Sequence, residues 1–299
     1  MLNGASMYDA HPMTAWRTLL GDYPTTRALR HGTLASPTLS LAFEDVRVPN
    51  KAFKRVVRDL EFDVAEIALM TYLMARSRGV PLRLLPVVIF GRNPLPYLVC
   101  AATRRVRPGD LGGCRIGVRA YTTTTAVWIR ALLTEVCGVE FDRAAWTTIE
   151  EGHVVGVTEP PTVVRDPSAD LVAMLREGAL DAIIVDPVPD EPWCVAVVED
   201  ADAMYGTWRQ RSRACMVNHV VAVRESLAED EPAMRELFRL FRESRDLGGE
   251  AAASMAAPPG LDANRRNLEV AIAAAQAQHL LAQPLTVDDI VTDAIASLR

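Results

Sequence analysis

Leu82-Arg83-Leu84-Leu85-Pro86-Val87-Val88-Ile89-Phe90 is followed by Gly91-Arg92-Asn93-Pro94-Leu95-Pro96, after which Tyr97 to Thr103 resumes as strand. The first segment is almost wholly apolar, the pattern of a central strand buried on both faces. The two prolines that follow remove backbone donors and interrupt the ladder. A break of that kind suits a crossover between two lobes.

Towards the N-terminus, short apolar runs alternate with helical patterns. Thr14 to Leu20 reads as a first strand, followed by Gly21-Asp22-Tyr23-Pro24 and a helix carrying Arg27 and Leu29. Leu39 to Phe43 is a second strand and Asn50 to Leu60 a helix. Phe62 to Ala68 is a third strand, with a helix from Met70 to Arg78 closed by Gly79. Beyond the crossover, Pro108 to Gly113 leads to strand Arg115 to Arg119, and Thr122 to Thr125 opens a helix over Ala126 to Val136. Leu171 to Arg176 (helix), Ala182 to Val185 (strand) and Met216 to Val223 (strand) come next. Helices over Pro232 to Asp246, Asn264 to Leu281 and Val287 to Leu298 complete the pattern. The alternation predicts α/β architecture with largely parallel sheets.

Composition narrows the chemistry. The 299 residues, 49% hydrophobic and 23% charged, exceed what one simple core needs, so one bilobed domain or two domains is expected. Lys+Arg is 32 against Asp+Glu 38, a net charge of −6, which provides no global basic field for nucleic acid. Only Lys51 and Lys54 are lysines, so Schiff-base and phosphate-loop chemistry have almost no residue to use, and arginine must carry any anion recognition. Cys100, Cys114, Cys137, Cys194 and Cys215 stand singly, as reduced thiols do. The first twenty residues lack a secretory pattern and no run approaches the ~20 apolar residues of a membrane span, so a cytoplasmic protein with no membrane partner is expected.

Several segments together resemble one family, the 4,5-dihydroxyphthalate decarboxylase-like proteins. They are Gly21-Asp22-Tyr23 with Thr26-Arg27-Ala28-Leu29, then Glu61 to Glu66, Tyr72 to Arg76, Asp110 to Gly113 with Arg115 to Val118, Thr125 to Arg130, and His219-Val220-Val221. The resemblance implies a type II periplasmic-binding-protein-like fold: two α/β lobes, two crossover segments and a ligand cleft between them. Lobe one would be residues 1–95 and 220–299, lobe two residues 96–219. The family carries Ser-Arg-Met-Phe-Arg-His at the crossover, where this chain has Gly91 to Pro96, so only Arg92 is matched. The family's Pro-Glu-Tyr-Gln-Met-Thr is here Arg119-Ala120-Tyr121-Thr122-Thr123-Thr124.

Candidate site residues follow from chemistry and from this placement. The helix start at Thr122, Thr123, Thr124 and Thr125 offers unpaired N–H groups and hydroxyls to an anion, unless one threonine merely caps it. Arg27 and Arg92 are guanidinium forks for a carboxylate, Arg27 being equally an ion-pair partner. Glu66 ends a strand where open sheets present ligands and could orient or deprotonate a phenol. Asp186 is the matching strand-end carboxylate on the other lobe. His219 reads as proton donor or as a satisfied core histidine. Tyr23, Thr71, Tyr72 and Tyr121 are further substrate contacts, whereas Trp128 reads as packing. His11, His31, His153 and His279 read as ordinary, and no metal-ligand spacing or cofactor motif occurs. The expected function is a cofactor-independent decarboxylase acting on a small hydroxylated aromatic carboxylate. The alternatives are a non-catalytic solute-binding or sensor protein and a dehydratase or lyase, and a homo-oligomer is compatible with all three.

Overall fold

In the computed structural model, which describes residues 15–298, the chain folds as two α/β lobes, each around its own sheet. Thr14 of the first expected strand, and His11, lie outside the described residues. In chain order come β1 (Ala15–Leu19), α1 (Arg27–Arg30), β2 (Ser40–Phe43), α2 (Phe53–Arg58), β3 (Val64–Ala68), α3 (Leu69–Arg76) and β4 (Leu82–Gly91). Then follow β5 (Leu98–Ala101), β6 (Arg115–Val118), α4 (Thr124–Cys137), β7 (Ala145–Thr148), β8 (Val163–Arg165), α5 (Leu171–Glu177), β9 (Ala182–Ile184), β10 (Cys194–Ala196) and α6 (Ala201–Ser212). The described part ends with β11 (Val217–Arg224), α7 (Glu231–Leu247), α8 (Gly249–Met255), α9 (Leu261–Ala277) and α10 (Asp293–Ala296).

The first sheet has the order β2-β1-β3-β11-β4 and the second β10-β5-β9-β6-β7-β8. The chain crosses between them after β4 and again before β11. Both sheets are mixed rather than largely parallel: β11 runs antiparallel to β3 and β4, and β5 antiparallel to β9 and β10. Each of these strands adjoins a crossing, where the chain must reverse to leave or re-enter a sheet.

The apolar run at Leu82 forms an edge strand and not a central one. Helices α3, α7, α8 and α10 pack on β4 and bury its side chains, so the sequence pattern reported burial and not rank in the sheet. The helix expected over Val287 to Leu298 is broken into a 3-10 turn at Asp288–Ile290 and α10. Asp289 accepts from the Thr286 amide and hydroxyl, and Thr292 accepts from the Ile295 amide, so local side chains compete with a continuous helix there.

Glycine is required at the first crossover. A Cβ on Gly91 would lie 2.8 Å from the Met216 carbonyl oxygen, where the two crossing segments touch. Gly91→Ala is expected to destabilise the protein by about 1–3 kcal/mol, measured by urea denaturation. An unchanged midpoint would mean that the crossing segments separate freely.

Candidate active site

A cleft of about 560 Å³ is lined from both lobes: by the end of β3 and start of α3, by the β4–β5 crossover, by the starts of α4 and α5, and by the end of β9. Asn218 and His219 on β11 and His153 in the loop after β7 complete it.

Glu66 and His219 meet because of strand register. Glu66 pairs with Val221 and Ala68 with His219, so both side chains share one face of the β3–β11 ladder. The β11–β4 register shifts repeatedly between Val217 and Val221, and irregularities of that kind re-aim side chains. His219 Nδ1 lies 2.6 Å from Glu66 Oε1. That oxygen also accepts the Tyr23 hydroxyl at 2.9 Å, while Oε2 accepts the Gly21 amide at 2.7 Å. A Cβ on Gly21 would fall 2.4 Å from the Tyr23 ring, so glycine permits this turn.

The carboxylate is acceptor only, which assigns the Nδ1 proton to His219 and leaves Nε2 for the cleft. Burial, and secondarily the Glu66 carboxylate, push the Tyr23 hydroxyl far above the usual phenol range, so it remains a donor. The His219 ring is held at 4.4 Å from Phe90 and 5.2 Å from Phe53, centroid to centroid. Glu66 itself is fully buried and absent from the cleft wall. The direct contact with a phenol expected of Glu66 is therefore not available in this arrangement, and its link to the cleft is the His219 ring.

Donors suited to an anion reach the cleft from both lobes, α3 following β3 of the first sheet and α4 following β6 of the second. The starts of α3 and α4 both open on the cleft, linked by a hydrogen bond from the Met70 amide to Thr124 Oγ1 at 3.2 Å. Thr123 Oγ1 is buried there without a partner. Arg92 donates from Nη1 to Asp186 at 2.8 Å and from Nη2 to Thr125 at 3.4 Å, and its guanidinium carbon sits 3.9 Å from the Tyr97 ring centroid. Its buried Nε has no partner.

Sequence reasoning missed His153. Its Nδ1 lies 2.9 Å from Thr71 Oγ1, and its ring packs edge-on to Phe53. Arg58 donates to the carbonyls of Gly152 and His153 at 2.9 and 2.8 Å, and Lys54 and Arg58 both reach Glu151. These contacts strap the loop to α2. Burial first, then the positive charges of Arg119, Lys54 and Arg58, pull the His153 pKa down to about 3. Unfolded histidine takes up a proton near pH ~6.5 while folded His153 does not, so this stability is present above ~6.5 and is lost as pH falls towards 3. The loss is expected at about 1.4 kcal/mol per pH unit across that window, and a His153→Gln protein should lack it. Parallel denaturation midpoints for the two proteins as pH is lowered would refute the assignment.

Other expected contacts lie elsewhere. Arg27 is exposed and paired with Asp22 at 3.0 Å, outside the cleft wall. Tyr72 is wholly buried and donates to the Ile290 carbonyl at 2.7 Å; it is its neighbour Thr71 that faces the cleft. Tyr121 packs on Trp146 and under Arg130, against a different cavity. Thr122 is buried against Gly152. Trp128 is core, its indole donating to the Val217 carbonyl at 2.8 Å. Among the described residues no group of three or more His, Cys, Asp or Glu side chains could hold a metal ion, and no helix is long and apolar enough to cross a membrane.

Two lobes joined by two crossings around such a cleft define the type II periplasmic solute-binding fold. The periplasmic aliphatic sulphonate binding protein of Escherichia coli shares it, covering 95% of this chain and 93% of that one at 12% identity with a TM-score of 0.56. The alkanesulfonate-binding protein of Xanthomonas axonopodis pv. citri, bound to MOPS, covers 95% and 99% at 15% identity and a TM-score of 0.53. In sequence the chain is similar to a 4,5-dihydroxyphthalate decarboxylase of Comamonas testosteroni, 26% identical over 242 residues, which are 76% of this chain and 73% of that protein. It is 27% identical over 175 residues to the enzyme of the same name from Pseudomonas putida, covering 55% of this chain and 67% of that one. No protein-family model matches the chain.

Proposed function

We propose that the protein is a cofactor-independent decarboxylase for a small hydroxylated aromatic carboxylate. The observation that carries this reading is the Tyr23–Glu66–His219 chain, which ends on an imidazole at a cleft also lined by Arg92 and the starts of α3 and α4. The relatives named as decarboxylases support it.

In this reading Arg92 and the α3 and α4 N-termini hold the carboxylate, and His153, neutral, accepts or donates a hydrogen bond at a ring hydroxyl. Protonated His219, its charge balanced by Glu66, gives the Nε2 proton to the ring carbon that bears the carboxylate. The carbon–carbon bond then breaks, CO₂ leaves, and the bonding pair restores the aromatic ring. His219 regains a proton from solvent, so one proton is consumed per turnover. The fixed donors need no reorganisation at the reacting centre, which is how such sites lower a barrier. The lobe built on the second sheet would close over the ring.

The fold of the sulphonate-binding proteins favours a second reading, a protein that closes on a carboxylate without reacting. Incubation with hydroxylated aromatic mono- and dicarboxylates, following CO₂ release and ultraviolet spectra, separates the two. Turnover of at least one acid is expected. Tight binding with no CO₂ across the panel would leave the binding protein.

A further inference from the structure

A second cavity, of about 790 Å³, lies between α4, α6 and α9 and shares no lining residue with the cleft. Trp128, Val139, Phe141, Trp208 and Ala274 give it apolar walls. Arg130 lies against it, only 2% exposed. Its Nε donates to Gln278 at 2.7 Å and its Nη2 to the Tyr121 carbonyl at 3.0 Å, but Nη1 has no partner. Arg130 forms no ion pair with a carboxylate among the described residues. The Tyr121 and Trp146 rings offset part of this buried charge at 3.9 and 5.2 Å from the guanidinium carbon but supply no acceptor for Nη1, and a guanidinium keeps its charge: burial lowers this one only to about 10.

Opposite charge is present but placed elsewhere on the wall. Glu135 accepts from the Trp208 indole at 2.9 Å, Glu140 and Asp142 stand on the turn beside Phe141, and Glu159 pairs with Arg165 through one oxygen at 3.1 Å. The other Glu159 carboxylate oxygen, Oε1, is buried with no partner. A simple anion would satisfy Arg130 and be repelled by these carboxylates; a simple cation would leave Arg130 unpaired. A ligand carrying both charges on an apolar body suits a wall that holds Arg130 among carboxylates.

We propose that this cavity is a second binding site, beyond the cleft and its reaction, for an apolar amino acid whose carboxylate meets Arg130 and whose ammonium faces Glu159. Calorimetric titration of the full chain with L-phenylalanine is expected to show one saturable site. 3-Phenylpropanoate and 2-phenylethylamine, each lacking one charge, should bind about tenfold more weakly or worse, because the first leaves Glu159 Oε1 and the second Arg130 Nη1 without a partner. Arg130→Met should abolish binding. Should that protein fail to fold, Ala273→Phe serves instead, since it fills the cavity from an exposed position on α9. Arg92→Gln, in the cleft, should leave L-phenylalanine binding intact. The proposal is overturned by no binding up to about 10 mM, by binding that Ala273→Phe leaves unchanged, by binding that Arg92→Gln removes, or by equal affinity for 3-phenylpropanoate.

Discussion

A His219→Ala protein is expected to bind aromatic carboxylates with little change and to release CO₂ about 10²–10⁴-fold more slowly. The Arg92 guanidinium is held by Asp186 and Thr125 and not by His219, so loss of the imidazole removes the proton and not the anchor. Glu66→Gln tests the same chain from behind. Glutamine keeps the volume of a wholly buried side chain and still offers one oxygen to Nδ1, but it carries no charge to balance an imidazolium. Its turnover should fall less, by about 10–100-fold, because the bond that orients His219 survives, while charge stabilisation and the acceptor for the Gly21 amide are lost. Rates for the two variants and calorimetric affinities for one substrate would be measured together. Unchanged kcat in His219→Ala would remove that residue from proton delivery. Lost affinity with unchanged kcat would make the dyad a binding group.

The sequence displays the ends of strands and helices better than it displays their phase. The threonine run is legible because it opens an element whose apolar pattern is strong, and Glu66 because it interrupts such a pattern in the middle of β3. The Glu66–His219 contact spans 153 positions and depends on the pairing of β3 with β11, which no local pattern records. Tyr72 and Thr71 are adjacent on α3, yet one reaches Ile290 and the other the cleft. Adjacent positions on a helix point about 100° apart, so the two necessarily face different surroundings. His153 was invisible because the strand before it, Ala145–Thr148, has four residues and too little alternation to be read as one. Arg27 and Arg92 look alike in composition; what separates them is the crossover that carries only Arg92 into the space between lobes.

That placement makes Arg92→Met the second variant of large effect. Asp186 holds Nη1 and the Tyr97 ring covers one face, so the fork is oriented before any ligand arrives. Nε lacks a partner and Nη2 makes only a 3.4 Å contact, which leaves one edge of the guanidinium for two parallel bonds to a carboxylate. Truncating one partner of a desolvated charge pair costs about 2–5 kcal/mol, so carboxylate affinity should fall about 30-fold or more. Arg92→Lys should not restore it, because an ammonium has no fork. Asp186→Asn separates orientation from competition. The amide keeps an acceptor for Nη1 while removing a negative charge that opposes the ligand, and affinity for a hydroxybenzoate should rise several-fold, about 1 kcal/mol or less in view of the exposure of Asp186. If Asp186→Asn instead weakens binding as much as Arg92→Met does, the ion pair is there to aim the guanidinium, and its competition with the ligand is the lesser effect.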